Sequence, residues 1–163
     1  MIIFDNIAAI IIKKPHAKAV VRGSEEYPNI KGEVCFYSTR QGVIVACAIK
    51  GLTPAEQVCD SPVLGFHIHE GELCTGNETD YFANTLSHYN PKNCQHPYHA
   101  GDMPPLFSAN GIAVSVFLTD RFNLKDVIGK TVIIHAMADD FHTQPSGNAG
   151  EKIACGKIIS QKL

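Results

Sequence analysis

The segment GFHIHE at residues 65–70 alternates apolar side chains with histidines. Residues two apart in a β-strand project from the same face, so this pattern predicts a strand with Phe66 and Ile68 facing a core. His67 and His69 would then share the opposite face, where two imidazoles can bind one metal ion together. The segment therefore predicts a β-rich fold that carries a metal site.

Further short runs, separated by turn residues, recur along the chain. The predicted strands are residues 17–23, 32–39, 42–51, 63–70, 111–120, 130–139 and 152–160. Strands at this spacing without intervening helices are typical of a sandwich or barrel, and one helical turn is expected within residues 121–129. Residues 71–107 and 140–150 are predicted loops, and structureless segments this long inside a compact domain are usually functional.

Length and charge exclude some classes of function. A chain of 163 residues is expected to form one domain, and its net charge of −2 provides no basic field for nucleic acid.

The apolar N-terminal run is too short to span a bilayer, and its lysines follow the run, whereas those of a secretory signal precede it. We interpret residues 1–16 as an extension of a domain at 17–163, a strand or short helix that covers the core or a subunit interface. A homodimer is therefore possible, and a degenerate export or anchor segment is the alternative.

The cysteines and the N-terminus give opposite indications of compartment. Six cysteines in a chain of this size suggest an oxidising location. The absence of a recognisable signal sequence favours the cytoplasm by default. The sequence leaves the compartment open.

Six of the eight histidines and one aspartate have an order and spacing that suit two adjacent metal sites. His67, His69 and His135 lie on predicted strands, and four nitrogens in a distorted square suit Cu(II). A second group offers three nitrogens and one carboxylate, a set that suits tetrahedral zinc. The members of this second group are His88, His96, His99 and Asp102. If His88 belongs to both groups, its two ring nitrogens can bridge two ions, and seven side chains fill eight ligand places.

The chain resembles the copper–zinc superoxide dismutase family, in its bacterial type. The matching stretches, in the family's order, are GFHIHE, HYNP, HAGD, GKTVIIH, HAMADD and SGNAG followed by ACG, and they span about four-fifths of the chain. The resemblance implies an eight-stranded Greek-key β-sandwich or barrel with two long metal-site loops. It also implies copper and zinc as cofactors and superoxide as substrate.

The resemblance assigns a role to each matching residue. The copper ligands would be His67, His69, His88 and His135. The zinc ligands would be His88, His96, His99 and Asp102. Asp139 would link a copper ligand to a zinc ligand and fix both rings, and Cys74 and Cys155 would form the family's disulfide. His88 would carry a proton in catalysis while copper alternates between two oxidation states.

Some features depart from the family pattern. Lys152, beside Glu151, stands where most members have an arginine that guides superoxide, so the charge is kept and the planar fork is lost. The second loop is short and poor in basic residues, and the spacing of His96 and His99 compresses the zinc loop. We expect slower turnover and weak steering of the anion. Cys59 and Cys94 are additions that could form a second disulfide, with an incidental or metal-competing thiol at Cys94 as the alternative.

Two other functions remain open at the level of sequence. A non-enzymatic copper-delivery or zinc-storage protein could use the same fold, and such a role would tolerate loss of His88 or His135. A structural surface protein, with the apolar N-terminus as its assembly element, is the third possibility.

Overall fold

The computed structural model describes residues 9–53 and 62–162, and its scaffold is antiparallel β-sheet. The strands are β1 Ala17–Gly23, β2 Lys31–Thr39, β3 Gly42–Lys50, β4 Val63–Leu64, β5 Phe66–His69, β6 Leu106–Phe107, β7 Ile112–Thr119, β8 Thr131–His135 and β9 Lys152–Ser160. Seven of them form one curled sheet in the order β5-β8-β9-β1-β2-β3-β7, and β4 pairs with β6. The sheet places β9 between β8 and β1. The predicted all-β class is confirmed.

Two details differ from the sequence-based strands. The predicted strand at 63–70 is interrupted at Gly65: β4 pairs with β6, whereas β5 pairs with β8 in the large sheet. The short strand β6 lies at the end of the segment predicted as a loop. If β4 and β5 are counted as one interrupted strand, the described strands number eight. The expected helical turn is Leu124–Val127.

The predicted strand at 130–139 is also too long, because β8 ends at His135. The β8–β9 register shifts between Ile134 and His135, so the ladder is already irregular where the strand stops. Residues 136–151 form the second long loop, and Asp139 lies in it.

The core-facing side of β5 follows the predicted alternation. Phe66 pairs with Ile134 of β8 and Ile68 pairs with Val132. All four side chains are fully buried in the main hydrophobic cluster. A buried side chain of this size contributes about 1.5–3 kcal/mol, so this packing fixes the position of β5.

The opposite side of β5 carries the histidines and is also buried, with His67 0% and His69 2% exposed. The loop at residues 70–105 folds over this side and bonds to the strand, since the Ile68 N–H donates to the Gly101 carbonyl at 2.9 Å. The loop thereby converts an outer sheet face into a closed polar interior.

The N-terminal segment contacts the outer side of β2 where it is described. Residues 9–11 are helical, and the Tyr37 hydroxyl donates to the Ile11 carbonyl at 3.0 Å. No helix in the described part of the chain is long and apolar enough to cross a membrane. Residues 1–8 lie outside the described part, so the extension at 1–16 and the homodimer stay predictions. Cys59 lies outside it too, and its pairing with Cys94 likewise stays a prediction.

Candidate metal centre

Six histidines and one aspartate converge between β5, β8 and the long loops. They form two groups, and the candidate ligand atoms within each group lie within 4.8 Å of one another. The first group, which we call the strand group, is His67, His69, His88 and His135. The second, the loop group, is His88, His96, His99 and Asp102. His88 belongs to both, as the two-site hypothesis requires.

Backbone carbonyls orient two rings of the strand group. His69 Nδ1 lies 2.8 Å from the Leu86 carbonyl oxygen, and His135 Nδ1 lies 3.1 Å from that of Gly150. Neutral imidazoles that donate from Nδ1 present the lone pair of Nε2. The two Nε2 atoms lie 3.3 Å apart, so both rings can direct a lone pair at one ion.

The loop group has the dimensions of a small tetrahedral site. His88 Nδ1 lies 2.8 Å from Asp102 Oδ1, and His96 Nδ1 lies 3.1 Å from Asp102 Oδ2. His99 Nδ1 is 3.4 Å from His88 Nδ1. Tetrahedral zinc with bonds of about 2.0–2.1 Å separates its ligand atoms by about 3.3 Å. Small outward movements of these side chains would fit that geometry.

Asp139 joins the two groups through one carboxylate. Its Oδ2 lies 2.7 Å from His67 Nε2, and its Oδ1 lies 2.8 Å from His96 Nε2. Each ring thereby keeps its Nδ1 for the group to which it belongs. Burial alone raises the pKa of Asp139, but hydrogen bonds from His67, His96 and the Phe141 N–H outweigh it and hold the pKa well below its usual range.

Gly147 makes room for this carboxylate. Its φ of +69° lies in the left-handed region, and an added Cβ would lie 2.0 Å from Asp139 Oδ1 and 2.6 Å from His96 Nε2. A side chain at this position would displace the Asp139–His96 hydrogen bond.

Replacing Asp139 with asparagine is expected to weaken metal binding to both groups by about 10–100-fold, because the change alters the hydrogen bonds that orient His67 and His96. Competition with a chromophoric chelator measures the affinity for each metal. The matched control is Asp140→Asn. Asp140 is the neighbouring carboxylate, and it accepts hydrogen bonds from the N–H groups of His142 and Thr143, which belong to neither metal group. Equal affinities in wild type and Asp139→Asn would contradict the orienting role.

Burial keeps three histidines of the strand group, His67, His69 and His135, neutral and therefore able to bind a metal. It lowers the pKa of His67 to about 4 and that of His135 to about 3, and it lowers the pKa of His69 well below its usual range. His67 Nδ1 and His88 Nε2 are buried without a hydrogen-bond partner among the residues that the structure describes. An unpaired buried polar atom costs about 1–3 kcal/mol, and coordination of an ion would satisfy both atoms.

Lys152 lies beside the strand group and forms an ion pair with Asp80. Its Nζ donates to Asp80 Oδ2 at 2.7 Å and to the Phe82 carbonyl at 3.2 Å. Glu151 points elsewhere and accepts from the Tyr27 hydroxyl at 2.5 Å. A cavity of about 630 Å³, which we call the histidine cavity, opens onto this region. Its lining includes His69, His88, His135 and Lys152.

Sequence reasoning missed Arg121, which binds the backbone of the loop that carries all four loop-group residues. Its Nη1 donates to the carbonyls of Pro97 at 2.7 Å, His99 at 3.3 Å and Asp102 at 3.4 Å. Asp80 and Gly147 were missed as well. These partners are distant in sequence or lie in turn-rich segments, so no local pattern could have revealed them.

A disulfide ties the long loop to the sheet. It joins Cys74 to Cys155 of β9, with the two Cα atoms 5.6 Å apart. Lys152 lies three residues before Cys155 on the same strand. The disulfide and the Lys152–Asp80 ion pair therefore connect one stretch of β9 to one loop.

Comparison with known sequences identifies the family. The sequence model described as copper/zinc superoxide dismutase (SODC) matches residues 30–158. This chain belongs to the copper/zinc superoxide dismutase family. The family's relatives are named as copper–zinc superoxide dismutases, which are oxidoreductases, so membership implies copper and zinc as the cofactors.

Individual members of the family are similar over most of their length. The chain is 32% identical to "Superoxide dismutase [Cu-Zn] 2" of Aquifex aeolicus over 157 residues, which cover 85% of this chain and 86% of that protein. It is 34% identical to the Legionella pneumophila Cu-Zn superoxide dismutase over 139 residues, 80% of this chain and 79% of that one. A crystal structure of a double mutant of a superoxide dismutase-like protein from Bacillus subtilis superposes with a TM-score of 0.72. That pair is 30% identical and covers 90% of this chain and 98% of the other.

Proposed function

We propose that the protein dismutates superoxide to O₂ and H₂O₂, with copper in the strand group and zinc in the loop group. The observation that carries this proposal is the position of His88, which offers Nδ1 to the loop group beside Asp102. On its other side the buried Nε2 has no hydrogen-bond partner in the part of the chain that the structure describes. A single imidazole shared by two sites couples their geometry. Family membership supports the same activity.

The two metals, His88 and Asp102 have separate roles in the proposed reaction. When bound, copper would supply the one-electron chemistry and zinc a fixed positive charge. Dismutation of two superoxide anions consumes two protons. His88 Nε2 would hold one of these protons and deliver it to the reduced product, while solvent supplies the other. Asp102, 2.8 Å from His88 Nδ1, would share the zinc with that nitrogen, so the loop group would hold the ring in place while the proton moves.

Substrate would approach through the histidine cavity. Three histidines of the strand group line it, and Lys152 provides a cation in its wall. A lysine attracts an anion by charge without the paired hydrogen bonds of an arginine. We therefore assign Lys152 to substrate attraction.

A non-enzymatic metal-binding role is the second candidate. One observation favours it: Lys152 is paired with Asp80 at 2.7 Å, which reduces the charge available to attract superoxide. The relative from Bacillus subtilis is itself named only as superoxide dismutase-like. In this chain the strand group is complete, which favours the enzyme.

The deciding experiment measures superoxide consumption by protein reconstituted with copper and zinc, beside the zinc-only and metal-free forms. Copper-dependent consumption far above both controls is the expected result. Tight, stoichiometric copper binding without consumption of superoxide would refute the enzymatic proposal and leave the metal-binding one.

A further inference from the structure

Lys152 lines the histidine cavity, and its ion-pair partner Asp80 lines a neighbouring cavity of about 280 Å³ that Lys152 also borders. We propose that Asp80 acts through Lys152: it pairs with the Lys152 ammonium group and attenuates the attraction of that charge for anions entering the histidine cavity. This inference rests on the proposed function for its biological meaning, but anion binding can test it without turnover. The ion pair would then set how strongly superoxide, or any small anion, is drawn toward the strand group.

Asp80 is held rigidly enough to position a partner. Its Oδ1 accepts from the Phe82 N–H at 2.9 Å, and its backbone carbonyl accepts from Asn77 and Ala83. The Asn77 side chain in turn accepts from the N–H of Asp80 at 3.0 Å. The carboxylate therefore sits on a closed turn, and one oxygen, Oδ2, remains for Lys152.

Charge and exposure indicate what the pair does. The Lys152 side chain is 16% exposed and that of Asp80 is 38% exposed. Opposite charges at 2.7 Å present only a dipole to an incoming anion, and the field of a dipole falls off faster than that of a single charge. Asp80 thus weakens the one cation that we assign to the cavity wall.

The electrostatics of the neighbouring groups agree with this placement. Burial alone raises the pKa of Asp80, but the hydrogen bonds from Lys152 and the Phe82 N–H, together with the charge of Lys152, outweigh it and the pKa is lowered. Burial is the main cause that lowers the pKa of His135, and the nearby charge of Lys152 lowers it further. The ion pair is therefore within electrostatic range of the strand group.

Lys152 is expected to stay near the cavity when Asp80 loses its charge. Its Nζ also donates to the Phe82 carbonyl at 3.2 Å, and that bond does not need the carboxylate. Asp80→Asn keeps an oxygen that can accept the Phe82 N–H, so the turn is preserved. This variant removes the negative charge and leaves the cation.

The test uses azide as the anion and the copper- and zinc-loaded protein, with binding followed by visible absorption. Asp80→Asn is expected to lower the azide Kd on the order of 3–10-fold at low salt, with the gain lost at high salt. The matched control is Glu78→Gln, a nearby exposed carboxylate on the same loop, and it should change the Kd less than about 2-fold. An unchanged or weaker azide affinity in Asp80→Asn would overturn the proposal.

A double-mutant comparison shows whether Asp80 acts through Lys152. In a Lys152→Ala background, Asp80→Asn is expected to have almost no effect on azide binding. A gain of the same size there would mean a general charge effect and would also overturn the proposal. Asp80→Ser, whose hydroxyl can accept the Phe82 N–H, repeats the test if asparagine weakens the fold.

Superoxide consumption by the same variants separates the two proposals. If azide binding responds as expected and no variant consumes superoxide, the enzymatic function fails while the control of anion binding stands. If superoxide is consumed and azide binding does not respond, the role of Asp80 fails alone.

Discussion

Alanine at His135 is expected to lower superoxide consumption by the reconstituted protein by at least about 100-fold, or ~2.7 kcal/mol in transition-state stabilisation. His135 contributes one of four nitrogens to the strand group, and its Nε2 lies 3.3 Å from that of His69. Its loss would leave three nitrogens and an open position. The rate is measured by pulse radiolysis at matched protein concentration.

The loop group should be unaffected, because His135 is not one of its members. Zinc content in His135→Ala is therefore expected to equal that of wild type. His142→Ala is the matched control, since the His142 side chain is 79% exposed and should retain full activity. Full activity in His135→Ala would exclude the strand group as the site of the redox chemistry.

Removal of the Cys74–Cys155 disulfide is expected to lower the free energy of unfolding by about 4 kcal/mol. The two cysteines are 81 residues apart, and closing a loop of this length restricts the unfolded chain strongly. The expected fall in Tm is roughly 8–16 °C for a protein of this size. Urea unfolding of metal-free Cys74→Ala/Cys155→Ala measures the change without the contribution of metal binding.

Two comparisons isolate the disulfide from the loss of the side chains. Wild type under reducing conditions should unfold near the midpoint of the double variant, and Cys35→Ala, on β2, should stay near oxidised wild type. If the oxidised wild type and the double variant unfolded at the same urea concentration, the disulfide would have no stabilising role.

The main strands could be predicted because their signal is local. Alternation in GFHIHE set the two faces of β5, and the core contacts of Phe66 and Ile68 follow from it. The interruption at Gly65 could not be predicted, because it reflects pairing of β4 and β5 with two different strands, β6 and β8, that are distant in the chain. The two-residue strand β6 has no periodicity that would distinguish it from a loop.

The grouping of the histidines could be predicted because metal chemistry restricts which residue types occur together. The partners that orient them could not. The Leu86 and Gly150 carbonyls that face His69 and His135 carry no side-chain signature. Asp80 lies in a turn-rich segment, where an aspartate is expected for conformational reasons alone.

The shared carboxylate of Asp139 has a thermodynamic consequence. It bonds to His67 in one group and His96 in the other, so a metal that fixes either ring also fixes the carboxylate that the second ring needs. Filling the first site therefore reduces the conformational entropy that is lost when the second site binds its metal. Linkage makes this effect reciprocal: whatever factor zinc adds to copper affinity, copper must add to zinc affinity. Loading should therefore be positively cooperative in both orders.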